Sequence, residues 1–468
     1  MDLDKLGDLI NNKQIDELFN SNMIDDIFDI ELKDDVEDKL LQFQIMHVIN
    51  LVRCFNNNKV VIDTSDTGCG KTYSACALCK QQDWRPIIIC PYSVIASWEE
   101  VCKYYDVKPL CIVNYETIKR GKHYDKDGSR VICPFIDADE TGFKWKNLNK
   151  NNTIIIFDEV HKCKNPNSQN GQLLLSTLQM KHVLLLSATM ADKVKDFVCY
   201  GKMLGFYNTI HKGRGWLKYH SSDFTTFKEI HKKLFPKFGS RIKISELGDL
   251  FPKNQVSAQC YNLEKKDIKD VNEAYKELIQ TTKEKDKLAN ILKIRMYIEQ
   301  KKLKLLETLT MDYIDNNYSV VIFVNFVDNL KTLFRAFQKR GLNIACIYGE
   351  QDKKKRETHI RYFQKNKVNV IIVSMEAGGQ SISLHDVEGG HPRVSLICPT
   401  YKSIELKQAL GRIHRAGAKT PALQRIIFIA KTIEERICIK IKDKLARIDE
   451  INNGDLEIGG ISNVLNGI

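Results

Sequence analysis

VVIDTSDTGCGKTYSA, residues 60–75, carries three local signals in succession. Val60–Ile62 is a short apolar, β-branched run of the kind that forms a buried strand. The next residues cannot prolong that strand, because Gly68 and Gly70 let the backbone curl until successive N–H groups face one centre. The residues after Gly70 read as a helix, whose positive N-terminal end then points at the same centre. Lys71 can reach the β- and γ-phosphates of a bound polyphosphate, and Thr72 can offer a hydroxyl to Mg²⁺. The full GxxxxGKT pattern has glycine where this chain has Ser65. Ser65, Gly68, Cys69, Gly70, Lys71 and Thr72 are therefore the candidate phosphate-binding residues.

Outward from this segment, short apolar runs alternate with helical patterns in two series. The first runs through Val60–Ile62, Ile87–Cys90, Leu110–Val113, Ile154–Phe157 and Val183–Leu186. The second runs through Val320–Val324, Ile344–Tyr348, Val370–Val373, Val394–Ile397 and Ile426–Ile429. Such alternation predicts an α/β fold of doubly wound parallel sheets, here in two lobes with a helical element between them. The expected boundaries are an acidic helical segment at 1–39, a first lobe at 40–204, a helical linking region at 205–310, a second lobe at 311–450 and a tail at 451–468. Residues 121–150 read as an insertion or β-hairpin.

A chain of 468 residues, 43% hydrophobic and 28% charged, can bury a sizeable core. No apolar run approaches the length of a membrane span, and the acidic start MDLDKLGDLI is unlike a secretory or transit signal. The expectation is an intracellular protein of the cytoplasm or nucleus, with no membrane partner. The fourteen cysteines, scattered through apolar stretches, read as free buried thiols. Cys76 and Cys79 lack the further ligands that a zinc site needs. The formal charge of +12 is uneven: residues 1–39 carry −9 and the rest +21. A basic body suggests a polyanionic partner, and the acidic head, with Leu3, Leu6, Leu9 and Ile10 at helical spacing, is a candidate protein-docking element.

A second acidic signal follows the apolar run Ile154–Phe157. Asp158-Glu159-Val160-His161 stands at its carboxyl end, the edge of a parallel sheet where ligands bind. One carboxylate there can hold Mg²⁺, and its neighbour can orient or deprotonate an attacking water.

Together these segments resemble superfamily 2 helicases and translocases, which have two RecA-like lobes. SDTGCGKT at 65–72 resembles motif I, DEVH at 158–161 motif II, Ser187-Ala188-Thr189 motif III and QALGRIHRAG at 408–417 motif VI. Several blocks are similar to those of Swi/Snf-type duplex DNA translocases: IIICPYSVIASW (87–98), VNYETI (113–118), DEVHKCKN (158–165), FPKNQVSAQCYNL (251–263), VSMEAGGQSISL (373–384) and TIEERI (432–437). Two features depart. Motif III is SAT, typical of DEAD/DEAH strand-separating helicases, rather than a GT form. The link HDVEGGHPRVS (385–395) is also longer than theirs and looks more like that of compact helicases of large cytoplasmic DNA viruses, so a viral factory or virion joins the expected locations.

The resemblance implies ATP and Mg²⁺ as ligands, with Lys71, Asp158, Glu159, Gln408, Arg412 and Arg415 as catalytic residues. It makes Gln44 the adenine reader, since a carboxamide both donates and accepts, and Thr72 and Asp158 the Mg²⁺ ligands. Arg412 and Arg415, three apart on an expected helix, share one face and can act as arginine fingers. His161 reads as a coupling residue towards motif III or Gln408. Ser187 and Thr189 either share in that coupling or cap a helix. A nucleic-acid track would pass Ser93, Ser97, Trp98 and Tyr115 in the first lobe, and Asn325, Lys353, Lys354, Gly378 and Gly379 in the second. Trp98 is the one of these most at home in a core. The implied activity is ATP-driven movement along nucleic acid, DNA favoured over RNA. The alternatives are a strand-separating helicase and a nucleic-acid-binding scaffold that does not hydrolyse ATP.

Overall fold

The computed structural model describes residues 21, 23, 25–28, 30–149, 151–191, 193–219, 225–247, 253–263, 265–280, 284–378, 382–435 and 437–439. They form two compact units, one up to residue 247 and the other from residue 253. The expected helix around Leu3–Ile10 and the tail at 451–468 lie outside the described residues.

The first unit is built on β1 (Val60–Asp63), β2 (Arg85–Cys90), β3 (Cys111–Asn114), β4 (Thr153–Asp158), β5 (Val183–Leu186) and β6 (Gly239–Ser240), in the order β6-β1-β5-β4-β2-β3. Every neighbouring pair is parallel. Side chains alternate between faces along a strand, and here both faces are apolar. Val61, Ile88, Ile156 and Leu184 pack into one buried cluster, whereas Ile62, Ile89, Phe157 and Leu185 pack into another on the opposite face. Helices α1 (Gln42–Asn57), α2 (Lys71–Gln81) and α3 (Ile95–Tyr104) supply Val48, Leu51, Leu78 and Val101 to the first cluster. Ile27, Ile30, Leu32 and Val36 join it too, so part of the acidic segment is integral to this core. Residues 122–145 form two antiparallel hairpins, Lys122–Tyr124 with Arg130–Ile132 and Ile136–Asp139 with Gly142–Trp145.

The second unit repeats the architecture with β7 (Asn254–Tyr261), β8 (Ser319–Val324), β9 (Ile344–Ile347), β10 (Val370–Ser374), β11 (Arg393–Ile397) and β12 (Ala422–Ile429), ordered β7-β12-β11-β8-β10-β9 and again parallel throughout. Val321, Phe323, Ile371 and Val373 lie on one face, and Val320, Ile322, Val370 and Leu396 on the other. Helices α4 (Glu284–Asp315), α5 (Val327–Lys339), α6 (Lys353–Gln364) and α7 (Ser403–Leu410) belong to this unit.

The stretch 205–310 is not a separate helical element, which corrects the sequence expectation. The helices Ile210–Tyr219 and Thr225–Leu234 bury Leu217, Ile230 and Leu234 against the first sheet, while β7, the helix Lys265–Gln280 and α4 belong to the second unit. Amphipathic helices go where an apolar sheet face needs cover. No helix among the described residues is long and apolar enough to cross a membrane.

One face of α4 carries Arg295, Glu299, Lys302 and Leu306 at three- and four-residue spacing, and the last three are buried. Lys302 Nζ lies 2.6 Å from Glu434 Oε1 and donates to the Ile427 carbonyl at 3.2 Å, while the other Glu434 oxygen accepts the Ile429 N–H at 3.0 Å. Removing one partner of such a pair leaves an uncompensated buried charge. Lys302→Met is expected to lower the stability of the second unit by about 3–5 kcal/mol. Adding Glu434→Gln should restore most of it, as read by urea unfolding with circular dichroism.

Candidate functional site

Parallel strands end at one edge, and the register fixes which residues meet there. Asp63 pairs with Leu186 on one side and Ser240 on the other, and Asp158 also pairs with Leu186. The chain leaves this edge from β1 into the loop 64–70 and returns in α2 at Lys71. Gly70 sits at φ +82°, in the left-handed region, and a Cβ there would collide with the side-chain amide of Gln44. Glycine is required at this position for both reasons.

The loop is held from below. The Ser65 amide donates to Asp63 Oδ1 at 2.8 Å, and Ser65 Oγ accepts the Ile242 N–H at 2.9 Å. His47 joins the two sides: its Nε2 stands 3.1 Å from Asp63 Oδ2 and its Nδ1 2.8 Å from Ser240 Oγ. Burial alone would push the Asp63 carboxyl up, but His47, Lys71 and the Ser65 hydrogen bond outweigh it and hold it below the usual range. Lys71 Nζ donates to the Ser65 and Asp66 carbonyls at 2.7 and 3.1 Å. Gln44, 3% exposed, accepts the Leu41 N–H and donates to the Cys69 carbonyl at 2.9 Å, so it reports directly on the loop. Thr72 is half-buried in the first turn of α2. Asp63, His47 and Ser240 escaped the sequence reading. A polar residue closing the apolar run at 60–62 was the only signal for Asp63.

At the end of β4, Asp158 Oδ2 accepts the Trp98 indole N–H at 3.0 Å. Burial, with the Glu159 charge beside it, pushes this carboxyl up to about 6 against the opposing pull of Trp98 and Lys71. Trp98 is fully buried, and beyond filling the core it orients this carboxylate. Glu159 adopts φ 55°, a left-handed conformation that costs a non-glycine residue about 1–2 kcal/mol. His161 Nδ1 lies 3.2 Å from Glu159 Oε2 and 3.3 Å from Ser187 Oγ, which in turn accepts the Thr189 N–H at 3.1 Å. The structure thus brings His161, Ser187 and Thr189 together beside the acidic pair.

In the second unit Gln408 is buried in α7, which ends at Leu410. Arg412 and Arg415 therefore lie beyond the helix and do not share a helical face, a correction to the expectation. Gly411 closes α7 and the following residues bend away. Arg412, 1% exposed, donates from Nε to the Gly378 carbonyl at 2.7 Å and from Nη1 to the Ile382 carbonyl at 3.4 Å. Arg415, half-buried, donates from Nε to the Gly411 carbonyl and from Nη1 to Ser383 Oγ, at 3.0 and 2.8 Å.

The expected nucleic-acid track is represented unevenly. Tyr115 is 4% exposed, and its hydroxyl donates to the Asp158 carbonyl at 2.8 Å. It supports motif II and is not a surface contact, which corrects its assignment. Asn325 is similarly committed: its amide donates to Glu299 Oε2 at 2.8 Å and to the Pro399 carbonyl at 3.0 Å, and its oxygen faces Arg295 Nη2 at 3.3 Å. Gly378 is buried, with its carbonyl taken by Arg412, and Gly379 lies outside the described residues. Lys353 opens α6, while Lys354 and Lys355 are exposed beside it. Ser93 keeps an enclosed hydroxyl with no hydrogen-bond partner among the described residues. The long link 385–395 folds around Asp386, which accepts the Gly389 and His391 N–H groups and the Thr420 hydroxyl and lies 3.6 Å from Arg393.

Residues 44–197 match the DEAD/DEAH box helicase family, and residues 301–417 match the helicase conserved C-terminal domain. A protein of Acanthamoeba polyphaga mimivirus, provisionally named an ATP-dependent RNA helicase, is 37% identical over 462 residues, covering 90% of this chain and 84% of its own. The chain belongs to the superfamily 2 ATP-dependent helicases. It is also 22% identical over 474 residues to the mouse chromodomain-helicase-DNA-binding protein 1-like, of which it spans 50%. The solved structure of S. cerevisiae Dbp5 bound to RNA and ADP BeF3 superposes with a TM-score of 0.50 at 14% identity, covering 97% of this chain and 99% of that one, a likeness of fold. Membership makes the protein an ATP-hydrolysing enzyme.

Arg412 is expected to be a structural requirement of the second unit. Arg412→Ala leaves the Gly378 and Ile382 carbonyls buried without donors and should lower that unit's stability by about 2–4 kcal/mol. Arg415→Ala should change it by less than about 1 kcal/mol. Comparing their urea midpoints checks this.

Proposed function

We propose that the chain hydrolyses Mg·ATP at the loop 65–72 and uses the cycle to move along nucleic acid, with duplex DNA the favoured track. The observation that carries this reading is the single sheet edge on which Lys71, Asp158, Glu159 and His161 stand together. The residues fit the ligands. Lys71 Nζ rests on two backbone carbonyls, contacts that phosphate oxygens can replace. The N-terminal end of α2 and the left-handed Gly70 provide the anion-binding turn. Asp158, pushed towards neutrality by its surroundings, is a group that a divalent cation stabilises as the carboxylate.

In this reading Gln44 recognises the adenine edge, and Thr72 and Asp158 hold Mg²⁺. The cation supplies charge neutralisation on the β- and γ-phosphates. Glu159, oriented by His161, accepts the proton of the water that attacks the γ-phosphorus, and ADP departs. Arg415, with Gln408, stabilises the charge that develops on the transferring group, whereas Arg412 holds the motif that follows β10. Lys353 and Lys354 contact phosphates. The Swi/Snf-like blocks support duplex DNA, and the name of the mouse relative supports DNA. A strand-separating RNA helicase is the second reading, favoured by the SAT motif and by the name of the mimivirus relative.

Phosphate release measured with no polymer, single-stranded DNA, duplex DNA and RNA separates these readings. Duplex DNA is expected to stimulate most. Strongest stimulation by RNA transfers the assignment to the second reading, and no phosphate release at all leaves only a scaffold. Lys71→Ala should abolish turnover and weaken nucleotide binding, while Glu159→Gln should abolish turnover with ATP still bound. Arg415→Ala should keep ATP binding and lose about a thousandfold in hydrolysis. Arg415→Lys should not rescue it, because a point charge cannot replace the planar fork.

A further inference from the structure

The first unit carries a groove at the edge of its sheet away from the loop 65–72. Asn58, just before β1, donates from Nδ2 to the Lys237 carbonyl at 2.9 Å, and the Ile62 N–H donates to the Phe238 carbonyl at 2.9 Å. Residues 235–238 therefore lie beside the start of β1, whereas the loop 65–72 follows its end. Next to them is a cavity of about 400 Å³, walled in part by Phe206, Phe235 and Phe238 and rimmed by Lys232, Lys233 and Lys237. The Phe206 and Phe238 rings meet edge to face with centroids 5.6 Å apart. Lys237 Nζ stands 5.4 Å from the centre of the Phe238 ring. All three lysines are exposed, and among the described residues none of them is in an ion pair.

Aromatic walls under a rim of cations select an occupant that is apolar on one side and acidic on the other. The chain itself brings one to the place. Ser21 and Met23 are part of the cavity wall, and Met23 Sδ accepts from Arg53 Nη1 at 3.3 Å. The sequence just before them reads Ile15-Asp16-Glu17-Leu18-Phe19-Asn20, in which three large apolar residues flank two carboxylates. Six residues span at most about 20 Å, so all of these side chains are within reach of the groove. A segment tethered at the wall of its site meets it at an effective concentration on the order of millimolar, so modest contacts suffice.

We propose that residues 15–19 dock in this groove within the same chain. Ile15, Leu18 and Phe19 meet the phenylalanine walls, while Asp16 and Glu17 meet Lys232, Lys233 and Lys237. The acidic head then screens a basic surface that would otherwise attract polyanions without regard to the motor site. It does so from the edge of the sheet opposite the loop 65–72, so it does not compete with nucleotide.

The test places the photo-crosslinker p-benzoylphenylalanine at position 15 of the full chain and maps its links by peptide mass spectrometry. An equal mixture of isotopically labelled and unlabelled chains separates links within a chain from links between chains. Most links should fall within one chain, on peptides containing Phe206 or residues 232–238. Asp16→Lys with Glu17→Lys leaves the groove untouched and should lower their yield about fivefold or more, the worth of several exposed ion pairs. Lys232→Glu, Lys233→Glu and Lys237→Glu together should do the same, and combining the two sets should restore most of the yield. Links scattered outside the groove, or a yield that neither charge reversal moves, show proximity through the tether alone and overturn the docking. Links mainly between labelled and unlabelled chains overturn it too, by making a second copy the occupant.

Discussion

Parallel pairing throughout the two six-stranded sheets decides where this protein can keep its chemistry. In an antiparallel sheet, strand ends alternate between two edges. Here all six strands of each unit finish on the same side, so whatever follows them is gathered there. Asp63, Asp158 and Leu186 are far apart in the chain and adjacent in the register. The apolar faces that make both sheets stable also confine polar function to the loops at this edge.

Loops at such an edge have backbone groups that no ladder satisfies, and several are held by buried polar side chains. His47 and Asp63 anchor the phosphate loop. Glu299 takes the Asn325 and Phe326 N–H groups after β8. Arg412 takes the carbonyls after β10, and Asp386 the amides of the link before β11. Each of these groups is desolvated and would be costly if left alone. Satisfied by several hydrogen bonds, each fixes one loop conformation. His47, Glu299 and Arg412 come from elements remote in sequence, so the loops they hold depend on the completed fold.

That dependence explains what the sequence revealed. The ten apolar strands were legible because each is a continuous apolar run, most of it buried. β6, with two residues, and β7, with Gln255, Ser257 and Gln259 among its eight, are edge strands with no such pattern. Gly70, Lys71, Asp158 and Glu159 were legible because their chemistry is local: a turn, a helix start, a strand end. Tyr115 and Asn325 were assigned to a surface because they follow strands, yet burial and hydrogen bonding turned both inward. Arg412 and Arg415 were placed on one helical face by their spacing, but Gly411 ends the helix first. Local spacing identifies an element and says little about which neighbour claims a side chain.

The serine of SAT is held by contacts of the same kind. His161 Nδ1 faces both Glu159 and Ser187, and one nitrogen can satisfy two oxygens only as a shared N–H donor. In that state Ser187 Oγ also accepts the Thr189 N–H, so its position is fixed from two sides. Without the Ser187 hydroxyl, His161 Nδ1 would face Glu159 as its one partner among the described residues. The serine thus ties the strained residue at the end of β4 to the turn after β5, through side chains whose geometry changes if either strand end shifts.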